Sequence, residues 1–468
     1  MVDNSVICAL ATPQTTSAIA VIRVSGNNCF EVVSKIILFN NSKKDLNYLK
    51  GYTIHRAQII DNEEIIDDIL ISIFKNPLSY TGEDMIEISC HGSTYIQQRI
   101  INLLTLNGAR LASPGEFTLR AFLNSKIDLS QAEAIADLIS SQNKASHDIA
   151  MNQVRGGFKK ELDILREKLL NLVSLIELEL DFSEEDVEFA DRTILSNTIE
   201  ELLIKIKRLK NSFELGNAIK NGIPVTIAGN TNVGKSTLLN AILNEEKAIV
   251  SDIHGTTRDV IEDVIVYKGI SFRFADTAGF RNSNDEIENI GISRSISKIK
   301  NSKIILLLVD VLMTGNQIEE IYKSINSELN ESQNLILILN KTDLISKEKL
   351  DEFENFCIKL IDSNYYYISL SAKDLSQTEK VLSTLYKSII KEDIFSDEIV
   401  VSINRHFDAL SKSEEALLRA KSGLQNKISN DFLSQDLKEV LHHIGSITGE
   451  ITTNEILGNI FKNFCIGK

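Results

Sequence analysis

Three short motifs in the middle of the chain carry residues that can bind and cleave a nucleoside triphosphate. Gly229-Asn-Thr-Asn232-Val233-Gly234-Lys235-Ser236 fits the G-x-x-x-x-G-K-[ST] phosphate loop, and Thr237 follows it. Its glycines let backbone N–H groups turn toward phosphate oxygens, and a helix starting behind it adds positive potential. Lys235 is placed to reach the outer phosphates and Ser236 to bind Mg²⁺. Further on, Asp276-Thr277-Ala278-Gly279 offers a carboxylate that would hold Mg²⁺ through water and an N–H at Gly279 that would sense the outer phosphate. Asn340-Lys341-Thr342-Asp343 supplies a carboxylate able to accept two hydrogen bonds from the N1 and N2 edge of guanine, donors that adenine lacks. Ser371-Ala372-Lys373 fits the loop that supports the base. Each match is weak alone. Their order and spacing make GTP the expected ligand.

The hydrolytic machinery is less ordinary. Phe280 stands where many GTPases place a water-orienting glutamine, and a phenyl ring cannot orient water. Glu288 is a candidate for that task; the alternative is a solvated acid in a loop. Ser251-Asp252-Ile253-His254-Gly255-Thr256-Thr257-Arg258-Asp259 reads as a first switch segment, with Thr257 closing on Mg²⁺. The side-chain oxygen of Asn232, with the carbonyls of Ser251 and Ile253, forms a candidate monovalent-cation site. Such a cation would neutralise charge developing between the β- and γ-phosphates.

These motifs need a sheet and helices to hold them. Residues 218–390 alternate short apolar runs with helical segments. Pro224–Ala228, Ser271–Ala275, Ile304–Val309, Leu335–Leu339 and Tyr366–Leu370 are the expected strands of a mostly parallel sheet, and Thr237–Leu243 is the helix behind the phosphate loop. Residues 1–124 mix strand-like runs (Ala18–Val24, Ile69–Phe74) with the helical Ile96–Leu106, which predicts a small α+β domain. Residues 125–217 lack proline and space Leu162, Leu165, Leu169, Leu172, Ile176 and Leu180 as on a helix, with Gly156–Gly157 as the main break. The acidic cluster Asp181 to Glu188 marks a helix end or turn. Helical periodicity returns over 391–468. The economical topology is a helical domain made of both flanks, with the α/β domain inserted between them.

The 468 residues suffice for about three domains. A net charge of −15 argues against a chain coated in nucleic acid. The five cysteines form no C-x-x-C pair, which points to a reducing compartment without a disulfide framework or zinc site. Cys90 and His91, adjacent on an expected strand, would face opposite ways, which excludes a nucleophilic pair. Met1–Ser5 carries no basic region, and Ile304–Val309 is too short to span a bilayer, so a cytoplasmic protein is expected.

Longer segments resemble the MnmE (TrmE) family of tRNA modification GTPases, among the TrmE-Era-like GTPases, over essentially the whole chain. They are Thr81–Asp84, Ser113–Lys126, Asp128–Ala134, Gly255–Asp259, Ile447–Glu450 and the C-terminal Phe464–Lys468. The resemblance implies a multidomain α/β and α+β protein: an N-terminal α+β domain that dimerises and binds 5-formyltetrahydrofolate or a related one-carbon donor, and a helical domain carrying an inserted Ras-like P-loop GTPase domain switched on by potassium-dependent dimerisation. It implies a homodimer that, with the flavoprotein MnmG, modifies C5 of the wobble uridine of certain tRNAs. Carried over by motif, Asn232, Ser251, Ile253 and Thr256 match the K⁺ ligands, Ser236 and Thr257 the Mg²⁺ ligands, and Glu288 the catalytic glutamate. Arg23, Glu87, Lys126 and Lys468 match positions at or near the folate site. For Cys465, read from the residue itself, a structural or folate-proximal role stands ahead of the alternative of a catalytic thiol. The family's glycine- and arginine-containing stretch after the early Ala-Thr-Pro is replaced here by Gln14–Ala18.

Two rival readings stand beside this one. A GTPase that only assists ribosome assembly would carry an RNA-binding module such as a KH domain, and Gly156–Gly157 lacks the spacing and context of its GXXG loop. The second is a one-carbon transfer enzyme in which the GTPase is regulatory, to be distinguished by nucleoside analysis of tRNA.

Overall fold

The structure is a computed structural model that describes residues 5–39, 45–181, 191–243, 249–250, 263–274, 299–330, 333–361, 366–389, 399–462, 464 and 467. The chain forms two compact units. One comprises Met1–Ser140, Ala150–Ile206 and Asp408–Lys468; the other comprises Ser141–Ile149 and Lys207–Phe407.

The first unit opens with a sheet of seven described strands: β1 (Ile7–Leu10), β2 (Ser17–Ser25), β3 (Ile37–Leu38), β4 (Thr53–Asp61), β5 (Glu64–Phe74), β6 (Met85–Gly92) and β7 (Arg110–Leu111). Their order is β3-β4-β5-β6-β2-β1-β7, and every pairing is antiparallel except β1 with β7. Strand alternation places Ile22, Ile71 and Ile88 in one buried cluster. Helices α1 (Cys29–Ser34) and α2 (Thr94–Leu106) contribute Val33, Ile100 and Leu104 to it. Ile7 and Ala9 instead pack with Phe117 of helix α3 (Glu116–Leu123).

Helices α4 (Leu129–Ser140), α5 (Lys144–Val154), α6 (Gly157–Asp181) and α7 (Arg192–Asn211) follow, and α8 (Phe213–Asn221) leads into the second sheet. Leu162, Leu165, Leu169, Leu172 and Ile176 are buried along α6 as their spacing predicts. The stripe ends differently. Leu180 is only half-buried, and Glu179 takes the interior position, paired with Arg192 at 2.8 Å and accepting from Asn430 Nδ2 at 2.8 Å. Ion pairing, rather than apolar burial, closes that end of the helix.

The second unit holds a sheet of seven described strands: β8 (Ile223–Ala228), β9 (Ile249–Val250), β10 (Asp263–Tyr267), β11 (Ile270–Phe274), β12 (Ile304–Asp310), β13 (Asn334–Asn340) and β14 (Tyr366–Ser369). Their order is β14-β13-β12-β8-β11-β10-β9. The five strands from β14 to β11 run parallel, and β10 and β9 join antiparallel at the edge. Strands β12 and β13 read as unbroken apolar runs because both faces are covered: Leu306, Leu308, Ile336 and Ile338 enter one core, and Leu307, Val309, Leu337 and Leu339 another. Helices α9 (Lys235–Leu243), α10 (Gly315–Asn326), α11 (Lys347–Leu360) and α12 (Thr378–Ile389) supply those layers. The expected strands are all present; Ala275 lies outside the described residues. Helices α13 (Asn404–Gln425), α14 (Asn430–Thr448) and α15 (Asn454–Phe461) complete the chain, and α14 packs along α6.

Candidate nucleotide site

The phosphate loop leaves β8 and enters α9, at the C-terminal edge of the parallel strands, where open α/β sheets bind ligands. Gly229 and Gly234 have φ of 141° and 100°, and Asn232 has φ of 62°. A Cβ on Gly229 would lie 2.3 Å from the Leu308 carbonyl oxygen, so the first glycine is required by the close passage of β12. Val233 is buried, and its carbonyl accepts from Asn340 Nδ2 at 2.8 Å. Lys235 Nζ donates to the carbonyls of Gly229 (2.8 Å) and Asn230 (2.6 Å), and burial pulls its pKa below the usual lysine range. Ser236 and Thr237 occupy the first turn of α9.

The base side is built by the ends of β13 and β14. Asn340 is 1% exposed, and its Oδ1 accepts from the Ala372 N–H at 2.8 Å. Lys341 (φ 63°) donates from Nζ to the Asn232 carbonyl at 2.9 Å and pairs with Asp310 at 2.5 Å. Asp343 sits in a short 3-10 turn, Thr342–Leu344. The Ser371 hydroxyl beside it, with the Lys373 and Lys341 charges, holds its carboxyl below the ordinary aspartate range. The Ser371 N–H donates to Gln377 Oε1 at 3.2 Å. Phosphate loop and base loop, more than a hundred residues apart, are therefore tied by two side chains, Asn340 and Lys341. Asp310 and Gln377 were not expected from sequence; Asp310, closing the apolar run of β12, was the available signal.

Ser251–Thr257, Asp276–Gly279, Phe280 and Glu288 lie outside the described residues, as do Cys465 and Lys468. The hairpin β10–β11 stands between the two switch segments in sequence.

In the first unit, Arg23 and Glu87 face each other across β2 and β6. Arg23 donates to Glu87 Oε1 from Nε (3.0 Å) and Nη2 (2.7 Å), and from Nη1 to the Gly467 carbonyl (3.3 Å). The rings of Tyr80 and Phe117 lie 5.2 and 5.6 Å from its guanidinium carbon. Lys126 Nζ donates to the Pro77 carbonyl at 3.0 Å, in the loop that carries Tyr80. Behind this pair runs a buried network. Arg120, 2% exposed, donates to Glu83 Oε2 (2.9 Å), Glu116 Oε1 (3.1 Å) and the Ser5 carbonyl (2.9 Å). Glu116 is gripped in turn by Arg110 at 2.8 and 2.6 Å, and Ser25 donates to Glu83 at 2.9 Å. The segments Thr81–Asp84 and Ser113–Lys126 thus meet through charge. Cys90 is buried while the His91 side chain is exposed, as strand alternation predicts. Burial raises the thiols of Cys8, Cys90 and Cys357 to about 11. Among the described residues no helix is long and apolar enough to cross a membrane.

The family model described as GTP-binding protein TrmE N-terminus matches residues 6–126, and that described as MnmE helical domain matches residues 129–465. The chain is 50% identical over 471 residues to the tRNA modification GTPase MnmE of Flavobacterium johnsoniae, and 50% identical over 466 residues to that of Bacteroides thetaiotaomicron, covering 100% of both chains in each case. Among solved structures, a variant of Aquifex aeolicus Era bound to GDP.AlF4- is similar over 42% of this chain and 66% of that chain, with 24% identity and a TM-score of 0.27. With relatives half identical along their full length, and with the two family models matched over residues 6–126 and 129–465, the chain belongs to the MnmE family of tRNA modification GTPases.

Proposed function

We propose that this chain is a potassium-activated GTPase that acts with the flavoprotein MnmG. Together they add a carboxymethylaminomethyl or aminomethyl group to C5 of the wobble uridine of certain tRNAs, with one carbon drawn from 5-formyltetrahydrofolate or a related tetrahydrofolate. The observation that carries the GTPase part is the Asn340 bridge between phosphate loop and base loop, which holds Lys235 and Asp343 to one site. Asp343, kept anionic by Ser371, supports guanine over adenine.

Ser236 and Thr257 would hold Mg²⁺, which would supply positive charge to offset that of the outer phosphates. K⁺ on Asn232, Ser251, Ile253 and Thr256 would offset charge developing there. Of these ligands, Asn232 and Ser236 are among the described residues. The Asn232 carbonyl accepts from Lys341, and its side-chain oxygen is the group proposed for the cation. Glu288 is the proposed water-orienting residue. Val233, Gly234, Thr237, Asp252, His254, Gly255, Asp276, Thr277, Ala278, Gly279, Lys341, Ala372 and Lys373 complete the proposed GTP contacts.

The proposed division gives residues 1–124 to a folate-binding, dimerising domain, 125–217 and 391–468 to the helical domain, and 218–390 to the GTPase domain of a cytoplasmic homodimer. Arg23 and Glu87 pair where the C-terminal segment meets β2, which supports a folate pocket completed by Lys126 and Lys468. GTP turnover measured in K⁺ and in Na⁺ tests the activation; equal rates would sink it. Nucleoside analysis of tRNA from cells lacking the protein tests the modification. An unchanged wobble uridine with accumulating ribosome precursors would favour the assembly reading instead.

A further inference from the structure

Helix α5 begins in one compact unit and ends in the other: Ser141–Ile149 belongs to the nucleotide unit, and the residues from Ala150 onward belong to the first. Its start is welded to the β10–β11 hairpin. That hairpin turns through Lys268 and Gly269, both at positive φ (48° and 82°), the signature of a tight two-residue connection. The first N–H groups of a helix have no partner within it. Here the Ala145 N–H donates to the Gly269 carbonyl of the turn at 3.2 Å. Asn143 makes the second weld. Its Oδ1 accepts from the Ser146 N–H at 2.8 Å, capping the helix, while its Nδ2 donates to Ser271 Oγ at 2.8 Å. Ala145 is buried in the same core as Tyr267, Ile270 and Phe272.

The hairpin sits at a particular place in the chain. β10 is the first described element after the Gly255–Asp259 segment, and Phe274 ends β11 two positions before Asp276. A five-residue strand is about 17 Å of stiff backbone. The two strands are paired along their whole length, Tyr267 with Ile270 through Asp263 with Phe274. A rigid shift of the pair carries its turn end with it, where Gly269 holds Ala145 and Ser271 of β11 holds Asn143. The far end of α5 is fixed equally firmly in its own unit. Gln131 Nε2 donates to the Val154 carbonyl at 2.9 Å, and Ala150 and Gln153 are buried.

We propose that Ser141–Ile149 is a coupling strap: it reads the position of the hairpin between the two switches and transmits it along α5 to the helical domain. This rests on the GTPase reading above. Coupling of this kind requires an element whose position depends on the nucleotide. Here the hairpin is that element, and Asn143 and Ser271 are positioning residues rather than catalytic ones.

The test is amide exchange, followed by mass spectrometry on the full-length chain with GDP and with the non-hydrolysable imido analogue of GTP. In the wild type, exchange in 144–154 is expected to differ between the two nucleotides. Ser271→Ala removes the acceptor. Asn143→Ser keeps a capping hydroxyl and removes the amide donor. Both variants should bind nucleotide, protecting 229–237, while the difference in 150–154 is lost. A wild type whose 150–154 segment ignores the nucleotide while 229–237 responds would overturn the proposal, as would variants that keep the wild-type difference. Absence of any protection in 229–237 would overturn the nucleotide reading beneath it.

Discussion

Gly234 and Asn340 are in direct contact: a Cβ built on Gly234 would lie 2.3 Å from Asn340 Nδ2. The glycine has φ of 100°, so both the space and the backbone conformation exclude a side chain. The Asn340 amide fills the room that this leaves and ties the phosphate loop to the base loop.

Asn340→Ala leaves the Val233 carbonyl and the Ala372 N–H without their partner at a position 1% exposed. Each such loss costs about 1–3 kcal/mol. The melting temperature should fall, and affinity for a fluorescent GDP analogue should drop about tenfold or more, since tenfold needs only about 1.4 kcal/mol. Lower melting with unchanged affinity would reduce Asn340 to a structural role.

Asp343→Asn replaces a two-fold acceptor with an amide. Affinity for GTP should fall roughly 100-fold or more, because the guanine N–H donors then meet an N–H group. Xanthosine triphosphate, which presents a carbonyl at that edge, should gain. The pH behaviour follows from Ser371 and the neighbouring lysines, which hold the carboxyl below its ordinary value. A lowered pKa keeps the carboxylate ionised from pH 7 to about 5, so guanine affinity should stay level there and fail only below about pH 4. Ser371→Ala should move that failure to higher pH. Equilibrium titrations across pH read both effects, and an identical acid limit in the variant would count against the assignment.

Glu116 anchors the buried network of the first unit. Burial pushes its carboxyl up, but hydrogen bonds from Arg110 and the Ser113 N–H, the Arg110 charge and a hydrogen bond from Arg120 outweigh it, and the net shift is downward. A depressed native pKa contributes stability that is present above the unfolded value of about 4.3 and lost as pH falls through the native value. Melting temperature should therefore be insensitive to this group from pH 7 to about 5 and drop below about pH 4. Glu116→Gln should cost about 3 kcal/mol at neutral pH, because Arg120 stays buried with one carboxylate fewer, and should soften the acid limb. A variant that melts like the wild type would show that Arg110 and Arg120 find other partners.

The GTPase sheet was legible because Ile304–Val309 and Leu335–Leu339 are buried on both faces and so read as short unbroken apolar runs, alternating with helical segments. The end of α6 was not: Glu179 lies inside and Leu180 is only half-buried, because Arg192 and Asn430, distant in sequence, supply the partners. The motifs named the nucleotide residues but not the bonds joining them, since Val233 and Asn340 meet only when β13 is laid two strands from β8. The partnership of Arg23 with Glu87 likewise depends on the register of β2 against β6. Nor could periodicity reveal that Ser141–Ile149 packs with the nucleotide unit, for an amphipathic helix looks the same whichever core receives it.

Gly467 of the C-terminal segment packs tightly against β1. Gly467 has φ of 94°, and a Cβ there would lie 2.3 Å from the Leu10 carbonyl oxygen, while its own carbonyl accepts from Arg23. Gly467→Ala must therefore push Gly467 away from β1 and free Arg23 Nη1. If the proposed folate pocket includes Arg23, Glu87 and Lys468, affinity for 5-formyltetrahydrofolate should fall about tenfold or more, while K⁺-dependent GTP turnover, whose residues lie elsewhere in the chain, should hold. Glu87→Gln, which weakens the grip on Arg23 without touching Gly467, should reproduce the loss in part. Calorimetric titration of both variants with the folate decides the matter: wild-type affinity in Gly467→Ala would remove the C-terminal residues from the pocket.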